Sequence, residues 1–158
     1  MMKKWMIITV IAFIFVIGVV VSIYLNATEP VKAAEANARH KAQRETNLTG
    51  FTDFHLYHGE ETYYVFKAKN QKKQTVFVWV PEKEGAVITR KQKDALTRNQ
   101  AIEKLYEARN PEKIVEVRPG IIKDRPVWEI YYRSKNNSIN YYYMDFETGE
   151  KLRVIDNL

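Results

Sequence analysis

The sequence predicts an α+β protein: a single N-terminal transmembrane helix, followed by two similar units that each pack a helix on an antiparallel sheet. Three observations predict this class. A long uncharged run lies near the N-terminus, and the rest of the chain matches itself at an offset of 64 residues. Within each copy, apolar residues first recur at helical spacing and then alternate with polar residues as in strands. We call the two copies the first and second repeat.

The uncharged run extends from Trp5 to Leu25 and directly follows Lys3 and Lys4. As an α-helix it is about 31 Å long, which matches a bilayer hydrocarbon core of roughly 30 Å. A cleaved signal peptide is the alternative, but its apolar core spans about 7 to 15 residues and ends in small residues. This run ends instead in Tyr24-Leu25-Asn26. We therefore expect an uncleaved anchor at residues 5–25.

The two lysines before the anchor predict its orientation, because cytoplasmic segments carry the excess of positive charge. We expect a cytoplasmic stub at residues 1–4, a juxtamembrane linker at 26–32, and the remainder outside the cell membrane. Residues 26–158 carry 23 basic and 19 acidic side chains. Nucleic acid is not an expected ligand outside the membrane. Because the two signs are interspersed, an ordinary solvated surface is favoured over contacts with anionic lipid headgroups or wall polymers.

The self-match places Tyr64-Val65-Phe66 on Trp128-Glu129-Ile130, and Phe77 to Val80 on Tyr141 to Met144. Gly85 then falls on Gly149 without a gap. The first repeat is expected at residues 33–92 and the second at 93–158.

Each repeat is expected to open with a helix. In the second repeat, Thr97 to Gln100 forms a capping box, and Asn110-Pro111 ends the helical run. In the first repeat, Thr28-Glu29-Pro30 is the predicted helix start. The predicted apolar stripes are Ala101, Ile102, Leu105 and Tyr106 in the second repeat, and Ala34, Ala38 and Ala42 in the first.

Alternation predicts the strands and their faces. In the segment from Val127 to Arg133, we expect Trp128, Ile130 and Tyr132 to face the core, with Glu129 and Arg133 on the other side. Polar or glycine-containing segments between the apolar stretches are predicted turns. These turns are 58–61, 69–74, 118–120, 134–138 and 147–150.

Four segments of the sequence resemble one family, the TseB-like (YpmB-like) cell wall elongation regulators of Firmicutes. They are Tyr63 to Val65, Val76 to Pro81, Val127 to Glu129 and Tyr143 to Gly149. The resemblance covers essentially the whole chain, and the second repeat is also similar to PepSY domains. It implies a fold of two PepSY/cystatin-like units.

The resemblance also implies a function. It suggests a non-enzymatic, membrane-anchored accessory to peptidoglycan synthesis, with a class B penicillin-binding protein as partner and no cofactor. Two alternatives stay open. The first is a PepSY-type inhibitor or chaperone of an extracellular protease. The second is a module that binds wall polymers, to which the small positive excess and exposed tyrosines would contribute weak contacts with anionic polymer.

No catalytic or metal constellation is predicted. The chain has no cysteine, so thiol catalysis, disulfides and Cys-ligated metal are excluded. His55 and His58 are three residues apart, and on a strand such residues face opposite sides. The acidic residues lie mostly in predicted turns, which argues against the pair of facing carboxylates that a glycosidase needs.

A protein-binding surface is the remaining candidate. In the first repeat, Phe77 and Trp79 oppose the valines of the same strand, so both faces of that strand are apolar and both need a cover. One cover is expected to be a helix. The other is either the neighbouring repeat or a partner protein. If a partner binds, the predicted surface is Val76, Val78, Val80, Tyr142 and Met144.

Overall fold

A computed structural model describes the backbone of residues 2–158, together with the side chains of Trp5, residues 10–24, Asn26 and residues 28–158. The chain divides into two compact bodies, one up to Asn37 and one from Ala38 to Leu158. The helices are α1 (Met2–Glu45) and α2 (Arg98–Ala108), with a short 3₁₀ helix at Gln92–Asp94. The strands are β1 (Thr49–His58), β2 (Thr62–Lys69), β3 (Thr75–Pro81), β4 (Ile88–Lys91), β5 (Lys113–Ile122), β6 (Arg125–Arg133), β7 (Ile139–Asp145) and β8 (Lys151–Ile155).

The N-terminal body is helical. Among the described residues, one helix is long and apolar enough to cross a membrane, and its most apolar window has a mean hydropathy of 2.6. Every side chain from Val10 to Tyr24 is exposed, so no protein contact covers the apolar surface. This helix fits a single-pass anchor.

The predicted helix start at Thr28-Glu29-Pro30 is wrong. These residues lie inside α1, and the Thr28 hydroxyl donates to the Tyr24 carbonyl oxygen, 3.0 Å away in the preceding turn. Extending an existing helix adds a hydrogen bond for each residue fixed, whereas a new helix needs a costly nucleus. The hydroxyl therefore bonds backwards along the helix and caps no new start.

The C-terminal body contains two antiparallel sheets of four strands, in the orders β1-β2-β3-β4 and β5-β6-β7-β8. Hairpins join the neighbouring strands, and the turns predicted at 58–61, 69–74, 134–138 and 147–150 are confirmed. In the last of these, Gly149 has a φ of +73°, in the left-handed region that favours glycine.

The turn predicted at Arg118-Pro119-Gly120 is wrong, because these residues lie within β5. The chain reverses instead at Lys123 and Asp124, which have φ values of 47° and 61°. A proline is compatible with β5 because this strand forms an edge of its sheet, where a missing N–H need not break the ladder.

Helix α2 begins as predicted. The Thr97 hydroxyl accepts the backbone N–H of Gln100, and the Gln100 side chain accepts the N–H of Thr97, so the capping box is confirmed. Ala101 and Leu105 are buried. Tyr106 was predicted on the same stripe but is 54% exposed.

Two hydrophobic clusters stabilise the C-terminal body. In one, Ala38 and Ala42 of α1 pack on a face of the first sheet that includes Phe66 and Val78. In the other, the opposite face of that sheet, with Phe77 and Trp79, joins α2 and the second sheet. Of the predicted alanine stripe, Ala38 and Ala42 therefore dock on a sheet, and their small side chains allow close approach.

The predicted core face of β6 is confirmed, since Trp128, Ile130 and Tyr132 are all buried. Glu129 lies on the opposite face, as predicted, but its side chain is buried there too, with only 3% exposed. The groups that cover it are part of the surface described next.

Candidate interaction surface

The five residues predicted as a binding surface are all buried. Val76, Val78 and Val80 lie in the cluster that contains Ala38 and Ala42 of α1. Tyr142 and Met144 lie in the cluster that contains Ala101 and Leu105 of α2. These side chains therefore form no exposed surface. Helix α1 packs on the three valines, and helix α2 packs on Tyr142 and Met144.

The exposed aromatic face lies on the other side of the second sheet. Tyr131 of β6 pairs directly with Tyr141 of β7, and Tyr143 follows two residues later on the same face. All three side chains are partly exposed. The Tyr131 and Tyr141 ring centroids are 5.1 Å apart with an interplanar angle of 16°, and those of Tyr141 and Tyr143 are 6.4 Å apart at 17°. We call these three residues the tyrosine strip.

Strand β8 borders the strip with one apolar and one basic side chain. Ile155 pairs with Tyr141, and Arg153 pairs with Tyr143. The Arg153 guanidinium lies 6.0 Å from the centroid of the Tyr143 ring. Its Nη1 is 3.2 Å from Oε1 of Glu60, which belongs to the turn after β1. The border of the strip is therefore polar, while its centre is aromatic.

A buried ionic network supports the end of the strip at Tyr143. Glu129 pairs with Tyr143 across the sheet, and its Oε1 lies 2.6 Å from Nη2 and 2.7 Å from Nε of Arg118. The Tyr57 hydroxyl, from the first sheet, donates to the Oε2 atom at 3.1 Å. A buried carboxylate is stable only when it is paired and hydrogen-bonded in this way.

The tyrosine hydroxyls next to this network stay protonated. Burial raises the pKa of Tyr143 well above its ordinary value, and the neighbouring Glu129 carboxylate raises it further. Burial and the same carboxylate raise the pKa of Tyr57. Both groups are therefore hydrogen-bond donors rather than candidate nucleophiles.

The composition of this face suits a protein contact. Tyrosine and arginine are enriched at interfaces, where large rigid rings supply contact area and guanidinium groups supply directed hydrogen bonds. The strip presents three such rings on one face of the sheet, with Arg153 beside them. This arrangement can bind a partner surface without any chemical step.

The acidic residues weighed for catalysis have structural partners. Asp145 accepts backbone N–H groups of Glu147 and Thr148, and its Oδ2 lies 2.8 Å from Nε of Arg125. Asp124 accepts the Tyr63 hydroxyl at 3.0 Å. These carboxylates hold turns in place.

The two histidines do not converge. Nε2 of His55 lies 3.3 Å from the carbonyl oxygen of Pro119, and Nδ1 of His58 lies 3.2 Å from Oγ1 of Thr62. Burial lowers the pKa of His55. Across the described part of the chain, no group of three or more histidine, cysteine or acidic side chains is placed to hold a metal ion.

The tyrosine strip was not among the predicted site residues, although the sequence contains the signal for it. Four tyrosines at positions 131 and 141–143 cannot share one face, and strand alternation places Tyr131, Tyr141 and Tyr143 opposite the buried Tyr132 and Tyr142. The sequence does not show which of these two sets of tyrosines is buried. Helix α2 determines this, because it packs on the face that carries Tyr132 and Tyr142.

Comparison with known proteins gives consistent matches. Residues 37–81 match the cell wall elongation regulator TseB-like domain, and residues 95–155 match the peptidase propeptide and YPEB domain. A protein named probable cell wall elongation regulator TseB, from Bacillus subtilis (strain 168), is 30% identical over 159 residues. That alignment covers 98% of this chain and 99% of the relative. The solved structure of the YpmB protein from Bacillus subtilis superposes with a TM-score of 0.73 at 27% identity, covering 77% of this chain and 95% of the other.

Proposed function

We propose that this chain, which belongs to the family of TseB-like cell wall elongation regulators, is a membrane-anchored extracytoplasmic regulator that acts by binding another envelope protein. One observation carries the proposal. The chain has a candidate membrane-spanning helix, and its C-terminal body presents the tyrosine strip. The proposed partner is a class B penicillin-binding protein. The proposed orientation has the N-terminus in the cytoplasm, as the position of Lys3 and Lys4 predicts.

The proposed mechanism is tethered association. Two proteins anchored in the same bilayer meet at an effective concentration that can reach the millimolar range. At that concentration, the regulator and its partner stay bound even if their interface is small and their affinity in free solution is low. The regulator needs no catalytic group in this mechanism, and we propose that it is not an enzyme.

We further propose that the C-terminal body arose from two copies of one PepSY/cystatin-like unit, at 33–92 and 93–158. The element bounds support this. When 64 is added to the residue numbers of β1, the result is the first and last residue of β5, and the same addition to β3 gives the bounds of β7. The same offset also carries the pair Phe66–Val78 onto the pair Ile130–Tyr142.

A complementation experiment tests the tethering. In cells that lack the gene, three forms would be compared: the intact chain, the chain with residues 5–25 replaced by an unrelated span, and residues 26–158 secreted without an anchor. We expect the first two forms to restore growth and wall elongation, and the secreted form to fail at equal abundance. Full restoration by the secreted form would overturn the mechanism.

A second candidate function is favoured by the match of residues 95–155 to a peptidase propeptide domain. In this role the chain would bind a protease and inhibit or chaperone it. Purified full chain in nanodiscs, titrated into secreted proteases of the same cell, separates the two functions. Stoichiometric inhibition of a protease supports the inhibitor form of the second candidate, and unchanged proteolysis excludes that form.

A further inference from the structure

The tyrosine strip has a counterpart on the first sheet. On that sheet, Phe77 pairs with Lys67 across the strands, and Trp79 pairs with Val65. When 64 is added to these four residue numbers, the results are the cross-strand pairs that contain the strip, Tyr131–Tyr141 and Glu129–Tyr143. The two faces therefore have the same register, and the cover of the counterpart face indicates what fits the tyrosine strip.

Aromatic rings of the second repeat cover the counterpart face. The ring centroid of Phe146 lies 5.0 Å from those of both Phe77 and Trp79, at interplanar angles of 76° and 90°. Trp128 adds a second ring, 6.3 Å from Phe77 and also edge to face. Phe77 and Trp79 are buried as a result, whereas the three rings of the tyrosine strip are partly exposed. An aromatic side chain set edge to face is thus a cover that suits this kind of face.

Two cations face each other at one end of the tyrosine strip. Lys113 of β5 pairs directly with Arg133 of β6, which lies two residues after Tyr131 and on the same face. Like charges placed directly opposite on neighbouring strands destabilise a sheet. Nη1 of Arg133 donates to Oδ1 of Asn137, which is uncharged. Across the described residues, neither Lys113 nor Arg133 lies within ion-pair distance of a carboxylate, unlike Arg118 of the same face.

This cation pair is a local cost that a bound anion would remove. Residues two apart on a strand are separated by about 7 Å, so an anion at the cation pair lies one side chain away from a ring placed on Tyr131. We propose that an acidic segment of the partner protein covers the tyrosine strip, with an aromatic side chain edge to face with the tyrosine rings and a carboxylate between Lys113 and Arg133. The inference rests on the proposed function in taking this face to bind a protein.

The charges and the rings together favour this occupant over two others. Cations lie at both ends of the strip, Lys113 and Arg133 at one end and Arg153 at the other, so two copies that met through this face would bring like charges together. An anionic wall polymer would neutralise the cation pair but has no aromatic ring for the tyrosines. A protein segment supplies both groups.

A short peptide tests the face without the natural partner. N-acetyl-Asp-Trp-Asp amide would be titrated into the ¹⁵N-labelled full chain in nanodiscs, and the backbone amide signals of Tyr141 and Arg133 would be followed. We expect saturable shifts of both signals. N-acetyl-Asn-Trp-Asn amide has the same ring but no charge, and we expect it to bind about fivefold more weakly, because an ion pair is lost at an exposed site.

Three variants separate the two parts of the site. In the double variant Lys113→Gln with Arg133→Gln, we expect the acidic and the neutral peptide to bind with equal affinity. The double variant Lys72→Gln with Lys73→Gln removes two charges from an exposed hairpin of the first sheet, and it should retain the preference for the acidic peptide. In Tyr141→Ala, we expect both peptides to bind about fivefold more weakly, because the central ring is missing. Amide signals far from the strip report whether each variant is folded.

Several outcomes would overturn the inference. They are unmoved signals at the strip, equal binding of both peptides by the unchanged chain, an acid preference that survives loss of Lys113 and Arg133, and affinities that are unaffected by Tyr141→Ala. Tighter binding of a glycerol phosphate polymer at the same signals would assign the face to a wall polymer. Shifts of the strip signals when the chain alone is concentrated would assign it to a second copy.

The peptide titration and the complementation experiment fail independently. The titration needs no partner and does not depend on the anchor, whereas complementation compares anchored and secreted forms of the unchanged C-terminal body. If the anchored forms alone restore growth but the peptides do not bind as expected, the acidic segment is wrong and the tethering stands. If the peptides bind as expected but the secreted form restores growth, the tethering is wrong.

Discussion

Tyr57 shows how single residues fix the junction of the two sheets. Its ring lies against Gly59 and Gly120. A Cβ atom added at Gly59 would lie 2.6 Å from the nearest ring atom, and one added at Gly120 would lie closer still. Its hydroxyl donates to the buried Glu129. The two glycines are thus needed here for close packing around a tyrosine that joins both sheets.

We therefore expect Gly120→Ala to lower the free energy of unfolding by about 1 to 3 kcal/mol, because an added methyl group forces the Tyr57 ring to move in a packed site. Urea unfolding of the full chain in detergent micelles, followed by tryptophan fluorescence, measures the change. Val115→Ala, on an exposed position of the same strand, is the matched control and should change stability by less than about 0.5 kcal/mol. Equal effects of the two substitutions would contradict this packing.

His55 gives the fold a pH dependence. Burial lowers its pKa below the ordinary value of 6.5, although hydrogen bonds to Pro119 and Asp53 oppose the shift. The unfolded chain therefore binds the proton more readily than the folded chain, and stability should fall as the pH drops below 6.5 towards the folded-state pKa. In His55→Gln, the free energy of unfolding should depend less on pH over this range. Urea unfolding at several pH values measures the difference. A slope identical in both proteins would contradict the assignment.

At this scale, the sequence predicts local chemistry better than distant contacts. The left-handed Gly149 and the turn role of Asp145 depend on neighbours within a few residues and were predictable. The burial of Glu129 was not, because its partner Tyr57 is 72 residues away in the chain. Its other partner, Arg118, was expected in a turn and lies in a strand.

At the scale of elements, the docking of α1 depends on small side chains. Ala42 is fully buried against the first sheet, whereas the adjacent Gln43 is exposed. We expect Ala42→Leu to destabilise the C-terminal body by about 1 to 3 kcal/mol through overpacking. Gln43→Leu adds a similar side chain to the exposed face of the same turn and should leave stability nearly unchanged in the same urea assay. A neutral Ala42→Leu would show that the helix is not packed on the sheet.

The start of α2 offers a second prediction for an element. Thr97→Ala removes the hydroxyl that accepts the Gln100 N–H and should lower the free energy of unfolding by about 1 kcal/mol. Thr97→Ser retains the acceptor and should restore most of that stability. If both variants unfold at the same urea concentration, the cap contributes nothing.

Elements were predictable where a periodic pattern had a clear stop signal, as in α2 and four of the hairpins. Elements were not predictable where residues typical of a helix start or a turn lie inside a continuous helix or strand. Thr28 to Pro30 has the composition of a helix start, yet the helix continues through it because the preceding residues are already helical. Pro119-Gly120 has the composition of a turn, yet an edge strand accommodates it.

At the scale of the whole molecule, the sequence predicts an anchor and two sheets, but not which sheet faces are covered. The predicted binding residues failed as an exposed surface because α1 and α2 cover them. That placement depends on contacts between helices and sheets that are distant along the chain, and the spacing of apolar residues in a single sequence does not reveal such contacts. The exposed face is instead the one that carries the tyrosine strip.

Site-specific photo-crosslinking in living cells is the most direct test of binding through the tyrosine strip. A photoreactive amino acid would replace Tyr141, at the centre of the strip, or the exposed Tyr106 of α2 as a matched position. We expect the chain modified at position 141 to crosslink to a penicillin-binding protein, identified by mass spectrometry, and the chain modified at position 106 to give no such product. The absence of a product at position 141, or the same product from both positions, would contradict the claim that this protein acts by binding an envelope protein through the tyrosine strip.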